Sequence, residues 1–205
     1  MPSDPAAVVR LLLESRLTIA TGESLTAGLV AASLAEVPGC SSVLRGGVVA
    51  YQADVKHSLL DVSHEVLAAG LVTRAVAEGM AAGAARRLGA DVGVGTTGVA
   101  GPDPHDGEPV GSVWIAVVTG SGAVARHLAL SGDRADIRRQ TVEACWELVV
   151  GLLGERPRNR ESPATHGRWR MSGTSVGRES SDGGTVLARG TAGGRHHDRP
   201  STGDR

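Results

Sequence analysis

The stretch over residues 21–28 combines hydroxyl groups and glycines in a way that could supply a nucleophile or bind an anion. It includes Glu23, Ser24 and Thr26 and ends at Gly28. An apolar run precedes it and an Ala-rich run follows, and open α/β sheets bind ligands where a strand gives way to a helix. Free N–H groups at a helix start also favour an anion. The alternative is that Ser24 only caps the helix and Gly28 only permits the turn.

A second stretch, residues 51–56, could supply a base for that serine, because it contains Tyr51 and Lys56 at the end of a β-branched run. A lysine in a partly desolvated pocket loses its proton near neutral pH and can then accept the proton of a serine hydroxyl. Tyr51 could relay that proton or orient the lysine. The result would be a Ser–Lys pair. The alternative is a solvated lysine on a helix face beside a tyrosine at a strand edge.

Two further stretches could hold an oxyanion or a phosphate. Thr97, Gly98 and Gly101 lie where a third apolar run ends, and glycines let a ligand approach the main chain closely. Arg134 follows a Gly-Asp pair at the start of the last predicted helix, where a guanidinium suits bidentate recognition of phosphate. The alternatives are an ordinary turn and a surface charge cluster.

Composition and spacing argue against metal, nucleic-acid and membrane chemistry. None of the seven histidines forms an HExxH or comparable spacing, so we expect no catalytic metal, and no motif calls for a cofactor. A net charge of −1 and 2% aromatic residues argue against a nucleic-acid partner. The apolar cluster over residues 8–13 is too short for a membrane span or signal peptide. The two cysteines are far apart, which fits a reducing compartment, so we expect a cytoplasmic protein.

Strands and helices alternate in the predicted order of elements. We predict helices over residues 4–15, 29–35 and 53–60, two helices between 62 and 88, and a last helix capped by Asp133 that ends near Gly154. The predicted strands cover residues 17–21, 43–51 and 91–97, with a hairpin over 111–130. This order predicts a three-layer α/β/α sandwich with a mixed, mostly parallel sheet over residues 1–154. Residues 155–205, rich in Arg, Gly and Ser, are predicted to be a disordered tail.

In this order and spacing, the four stretches resemble the CinA C-terminal domain, a family also described as stand-alone nicotinamide-nucleotide amidases. The resemblance covers about residues 5–154. The matching stretches are residues 23–28, 39–41, 47–56, 97–102, 109–114 and 131–134. The specificity of the resemblance lies in their combination, because each stretch alone has an ordinary structural explanation.

The resemblance implies a metal-independent hydrolase, commonly a homodimer, that converts nicotinamide mononucleotide into nicotinate mononucleotide and ammonia. The family's serine and lysine fall on Ser24 and Lys56. Its tyrosine, second serine and phosphate-side arginine fall on Tyr51, Ser41 and Arg134. The residues expected to bind the substrate are Glu23, Thr26, Gly28, Ser41, Thr97, Gly98, Gly101 and Arg134. The competing class is a nucleotide-binding or regulatory module, which needs the phosphate loops but has no need for a nucleophile and a base together.

Overall fold

The computed structural model describes residues 4–154, and within that range the chain forms six α-helices and five β-strands. The helices are α1 (Pro5–Ser15), α2 (Leu29–Ala35), α3 (Ala53–Leu60), α4 (His64–Ala68), α5 (Arg74–Leu88) and α6 (Arg134–Gly154), and a 3-10 helix spans Cys40–Ser42. The strands are β1 (Ile19–Glu23), β2 (Leu44–Val49), β3 (Val92–Gly98), β4 (Ser112–Thr119) and β5 (Gly122–Ala129). The predicted tail over residues 155–205 lies outside the described residues.

The strands form a single mixed sheet in the order β2-β1-β3-β4-β5. β1 is parallel to β2 and to β3, whereas β4 is antiparallel to both of its neighbours, β3 and β5. Four strands therefore run in one direction and β4 opposes them, which confirms the predicted mixed, mostly parallel sheet. The parallel strands are joined through helices, as parallel pairing requires, and the antiparallel pair β4–β5 is joined by a tight hairpin at Gly120 and Ser121.

Helices cover both faces of the sheet, which confirms the three-layer architecture. On one face, α1, α2 and α6 bury a large apolar cluster that includes Val94, Ile115 and Trp146. On the other face, α3, α4 and α5 surround a smaller cluster that includes Leu60 and Met80. The side chains of a strand alternate between the two faces, so neighbouring strand residues contribute to different layers.

Two glycines in β3 allow α5 to lie directly on the main chain of the sheet. A Cβ atom at Gly93 would come within 2.0 Å of the Ala81 carbonyl oxygen, and one at Gly95 within 2.1 Å of the Ala77 carbonyl oxygen. Any side chain at either position would therefore push the helix away. The Gly-Val-Gly sequence here has a packing role and does not form part of a nucleotide-binding loop.

The carboxyl ends of β1, β2 and β3 meet at one edge of the sheet because the three strands are parallel. β1 extends two residues further than predicted, since Gly22 and Glu23 pair with both neighbouring strands and do not belong to the turn. Glu23 lies opposite Val49 and Thr96 in the register. Ser24 is therefore the first residue beyond the strand.

Candidate active site

Ser24 and Lys56 contact each other at the carboxyl edge of the sheet. Lys56 lies on α3 and is only 1% exposed, and its Nζ donates hydrogen bonds to Ser24 Oγ at 3.0 Å and to the Tyr51 carbonyl oxygen at 2.8 Å. Within residues 4–154, no carboxylate forms an ion pair with this amine. The alternative of a solvated lysine on a helix face is therefore wrong.

Burial lowers the pKa of Lys56 from 10.5 to about 8, because the charged amine loses its hydration. A lysine with such a pKa carries a neutral fraction near neutral pH and can accept a proton from a hydroxyl group. Lys56 is also the only lysine in the 205-residue sequence, in which the remaining residues of the Lys and Arg group are all arginines. An arginine stays protonated in proteins. The sequence therefore contains no second amine side chain that could act as a base.

Tyr51 forms a hydrogen bond to Lys56 through its main chain and one to Arg134 through its side chain. Its carbonyl oxygen accepts the bond from Lys56, whereas its phenol oxygen accepts a hydrogen bond from Arg134 Nη2 at 2.6 Å. Arg134 Nη1 donates to the Gly101 carbonyl oxygen at 2.8 Å. The phenol is thus not bonded to the lysine, which argues against the predicted relay, whereas the alternative that Tyr51 orients the lysine is met by its main-chain carbonyl oxygen. The half-exposed Tyr51 ring and the guanidinium together form one wall of the site.

A cleft of about 250 Å³ opens beside the Ser24–Lys56 pair. The structure brings seven of the predicted residues to it: Ser24, Tyr51, Lys56, Thr97, Gly98, Gly101 and Arg134. The other lining residues, which sequence reasoning did not select, are Leu25, Leu71, Val72, Val99, Ala100, Asp103 and His105. Leu71 and Val72 precede α5 and carried no chemical signal in the sequence. Asp103 and His105 belong to the loop after β3, and the polarity of that loop was the available signal.

Glu23 is a structural residue and does not line the cleft, contrary to its predicted substrate contact. Its carboxylate is 1% exposed and accepts four hydrogen bonds of 2.8–3.0 Å. The donors are Thr21 Oγ1 and the N–H groups of Gly28, Val30 and Ala31. The anion predicted at the start of the second helix is therefore supplied by the protein itself, where the helix dipole favours a negative charge.

Thr26, Gly28 and Ser41 also lie away from the cleft, which corrects their prediction as substrate contacts. Thr26 is fully buried, and its hydroxyl shares a 2.8 Å hydrogen bond with Thr96 Oγ1. The Gly28 N–H donates a hydrogen bond to the Glu23 carboxylate, as described above. Ser41 is exposed on the 3-10 helix Cys40–Ser42 and is not among the residues that line the cleft.

The loop after β3 forms one wall of the cleft and is held by main-chain and side-chain hydrogen bonds. His105 and Glu108 exchange main-chain hydrogen bonds of 3.1 and 3.0 Å around a turn at Asp106 and Gly107, both of which have positive φ. Such a turn suits Asp-Gly. The Asp106 carboxylate accepts hydrogen bonds from the N–H groups of Leu71 and Val72. The two walls contributed by residues 71–72 and by this loop are therefore tied together.

Residues 4–154 contain neither a metal cluster nor a helix suited to a membrane. No three His, Cys, Asp or Glu side chains in this range are grouped so that they could hold a metal ion. No helix in the same range combines the length and the hydropathy that crossing a membrane requires.

The sequence model of the CinA C-terminal domain matches residues 3–153. The chain belongs to this family. A CinA-like protein of Frankia casuarinae is 44% identical over 159 residues, which cover 77% of this chain and 36% of that protein. A CinA-like protein of Mycobacterium marinum is 44% identical over 151 residues, which cover 72% of this chain and 35% of that protein. The chain thus matches roughly a third of the length of these CinA relatives.

Solved structures of CinA proteins share the fold described above. A CinA superfamily protein from Klebsiella pneumoniae superimposes with a TM-score of 0.72 at 28% identity, over 74% of this chain and 96% of that chain. The competence/damage inducible protein CihA from Agrobacterium tumefaciens gives a TM-score of 0.68 at 33% identity, over 74% of this chain and 97% of that chain. These likenesses establish the CinA fold for the described domain.

Proposed function

We propose that this protein is a metal-independent amidohydrolase that deamidates nicotinamide mononucleotide to nicotinate mononucleotide and ammonia, with Ser24 as nucleophile and Lys56 as base. The observation that carries the proposal is the 3.0 Å contact between Lys56 Nζ and Ser24 Oγ, made by a buried lysine whose pKa is lowered to about 8. Membership of the CinA family is the second support, since the resemblance assigns these roles to the same two residues.

In the first step, neutral Lys56 accepts the hydroxyl proton of Ser24 as Oγ forms a bond to the carboxamide carbon. The electron pair of the carbonyl double bond moves to the oxygen and makes an oxyanion. We assign its stabilisation to the Leu25 N–H, because Leu25 follows the nucleophile and lines the cleft. Within residues 4–154, this N–H donates to no protein acceptor.

In the second step, protonated Lys56 returns its proton to the amide nitrogen, the C–N bond breaks and ammonia leaves. The product of this step is an ester between Ser24 and the nicotinate carbonyl. Water then attacks the ester while Lys56 takes up one of its protons, and Ser24 leaves and recovers that proton. The amide has been exchanged for an acid, and both side chains have returned to their starting states.

The nucleotide end of the substrate is assigned to Arg134 and to the loop that follows Gly98 at the end of β3. Arg134 lines the cleft with a guanidinium that has five N–H donors, and the contacts to Tyr51 and Gly101 occupy two of them. The remaining donors suit phosphate. The homodimer implied by the resemblance is part of the same proposal, and light scattering of the purified protein tests it.

The direct test measures ammonia released from nicotinamide mononucleotide by the full chain and by the variants Ser24→Ala and Lys56→Met. We expect release by the unaltered protein and a loss of about 1,000-fold or more in each variant. Ser42→Ala is the matched control, because Ser42 is an exposed serine that does not line the cleft. Binding without any release by the unaltered protein would favour the regulatory module. Release that survived both substitutions would exclude the Ser–Lys pair.

The pH dependence of activity gives an independent test of the base. Lys56 acts in its unprotonated form, so kcat/KM should rise as the pH rises through about 8. Because Lys56 is the only lysine, protein labelled with ¹⁵N-lysine gives a single side-chain amine to follow by NMR. Its titration midpoint and the kinetic midpoint should coincide. A lysine signal that titrated near 10.5 would remove Lys56 as the base.

A further inference from the structure

Arg138, one helical turn beyond Arg134 on α6, holds the loop that carries Ser24. Its Nε donates to the Leu25 carbonyl oxygen at 3.0 Å and its Nη2 donates to the Thr26 carbonyl oxygen at 2.8 Å. Charge-assisted hydrogen bonds from two nitrogens of one planar group fix the orientation of their acceptors more tightly than a single bond does. The resemblance assigned no role to this side chain, and the sequence patterns counted it only among the arginines that follow Arg134.

The two bonds fix the direction of the peptide groups that follow Ser24. All three peptide groups from Ser24 to Ala27 are trans, so each C=O points opposite to the N–H of the next residue. With its carbonyl held by Arg138, the Thr26–Ala27 peptide directs the Ala27 N–H the other way, and this N–H donates to the Ser24 carbonyl oxygen at 3.1 Å. That bond in turn sets the Ser24–Leu25 peptide. The direction of the Leu25 N–H therefore depends on Arg138.

The neighbouring Arg139 provides an internal contrast. It is exposed, and its guanidinium pairs with Asp136 and Glu143 on the same helix. Exposed pairs of this kind contribute little to stability. The two consecutive arginines on α6 thus have different environments. Arg138 is partly buried and bonds to the loop that carries Ser24, whereas Arg139 lies on the surface of the helix.

We propose that Arg138 is a positioning residue for the reaction, which fixes the loop after Ser24 so that the Leu25 N–H is presented to the oxyanion. The proposal rests on the amidase function proposed above. Arg138 does not touch the substrate in this scheme, because it does not line the cleft. Its removal should therefore alter kcat and leave KM largely as it was.

The test compares Arg138→Gln, Arg138→Lys and the matched control Arg139→Gln in the full chain, with nicotinamide mononucleotide as substrate. We expect kcat to fall about 100-fold in Arg138→Gln and about tenfold in Arg138→Lys. The lysine keeps the charge but cannot donate from two nitrogens of one planar group. KM should change less than about twofold in each. Arg139→Gln should behave like the unaltered protein.

Three kinetic outcomes would overturn the proposal. The first is an unchanged kcat in Arg138→Gln. The second is a raised KM at constant kcat, which would make Arg138 a substrate contact. The third is a fall in kcat that follows only the unfolded fraction in a thermal melt, which would make the role purely structural. If Arg138→Gln does not fold, the folded Arg138→Lys variant decides between the same outcomes.

A second measurement separates this proposal from the proposed function. Phenylmethanesulfonyl fluoride sulfonylates an activated serine, forming an Oγ–S bond and releasing fluoride and a proton, and mass spectrometry measures the labelling rate of Ser24. If the unaltered protein released no ammonia, slower labelling in Arg138→Gln than in Arg139→Gln would still support positioning. Equal rates, or no labelling of Ser24 in the unaltered protein, would overturn it.

Discussion

Glu23 and Lys56 are both 1% exposed and lie at the same edge of the sheet, yet they have opposite environments. The Glu23 carboxylate accepts four hydrogen bonds, three of them from N–H groups around the start of α2. Among residues 4–154, the Lys56 amine contacts two oxygens, both uncharged acceptors, and Lys56 lines a cleft. The carboxylate is fully engaged by the protein, whereas the amine retains bonding capacity toward a ligand.

The difference shows how the same degree of burial can serve structure or chemistry. A buried charge with a full set of partners holds the chain in place, and removing it costs stability. A buried charge with too few partners is destabilising in its ionised form, so its pKa moves toward neutrality and it becomes available for proton transfer. Substitutions at the two positions should accordingly have opposite effects on stability.

The largest effect on stability is expected from Glu23→Gln. The substitution replaces a carboxylate oxygen by an NH₂ group that faces backbone N–H donors, so it should lower the free energy of unfolding by about 3 kcal/mol. Chemical denaturation measures this loss. Glu36→Gln is the control, because Glu36 is exposed at the end of α2. An equal, small effect in both variants would show that Glu23 is not the structural carboxylate described here.

Lys56→Met should stabilise the protein while abolishing its activity. The shift of the Lys56 pKa from 10.5 to about 8 corresponds to a penalty of about 3 kcal/mol for the protonated form in the fold. Loss of two hydrogen bonds offsets part of it, which leaves a net gain of about 1–2 kcal/mol at pH 7.

The pH dependence of that gain has a definite sign. The unfolded chain binds the lysine proton more tightly than the fold does, so the penalty is complete below pH 8 and declines as the pH rises toward 10.5. The difference in thermal midpoint between Lys56→Met and the unaltered protein should shrink over the same range. A difference that stayed constant with pH, or a destabilised variant, would contradict the contrast with Glu23.

Arg134→Gln should weaken binding of the nucleotide end of the substrate more than it slows the reaction at the amide. We expect KM for nicotinamide mononucleotide to rise about tenfold, since a phosphate contact is lost. The phosphate-free analogue, nicotinamide riboside, should show little change between the two proteins. Arg139→Gln serves as the control of equal charge. Equal losses for both substrates would assign Arg134 to holding Tyr51 and Gly101 and not to the phosphate.

The smallest effect is expected from Tyr51→Phe. Lys56 bonds to the main-chain oxygen of residue 51, which the substitution keeps, and only the phenol contact to Arg134 is lost. We expect kcat/KM to fall about threefold, with the pH midpoint unchanged. A much larger loss, or a displaced midpoint, would restore the phenol as a participant in proton transfer.

Much of the fold could be predicted from local patterns. The helices Leu29–Ala35 and Ala53–Leu60 occur where apolar spacing and turn residues placed them. Asp133 caps α6 as predicted, since its carboxylate accepts hydrogen bonds from the N–H groups of Ala135 and Asp136. Strand ends were less predictable. Gly22 and Glu23 have low β propensity, and pairing with β2 and β3 makes them part of a strand.

The sequence by itself determined the order of the elements and the types of residue available for chemistry, including Ser24, Lys56 and Arg134. It could not determine which polar residues face the cleft, because Glu23 and Ser24 are adjacent in the chain and have opposite roles in the structure. Only the tertiary structure decided that division. It brings three strand ends, α3 and α6 together, so that burial lowers the pKa of Lys56, while four hydrogen bonds use the bonding capacity of the Glu23 carboxylate.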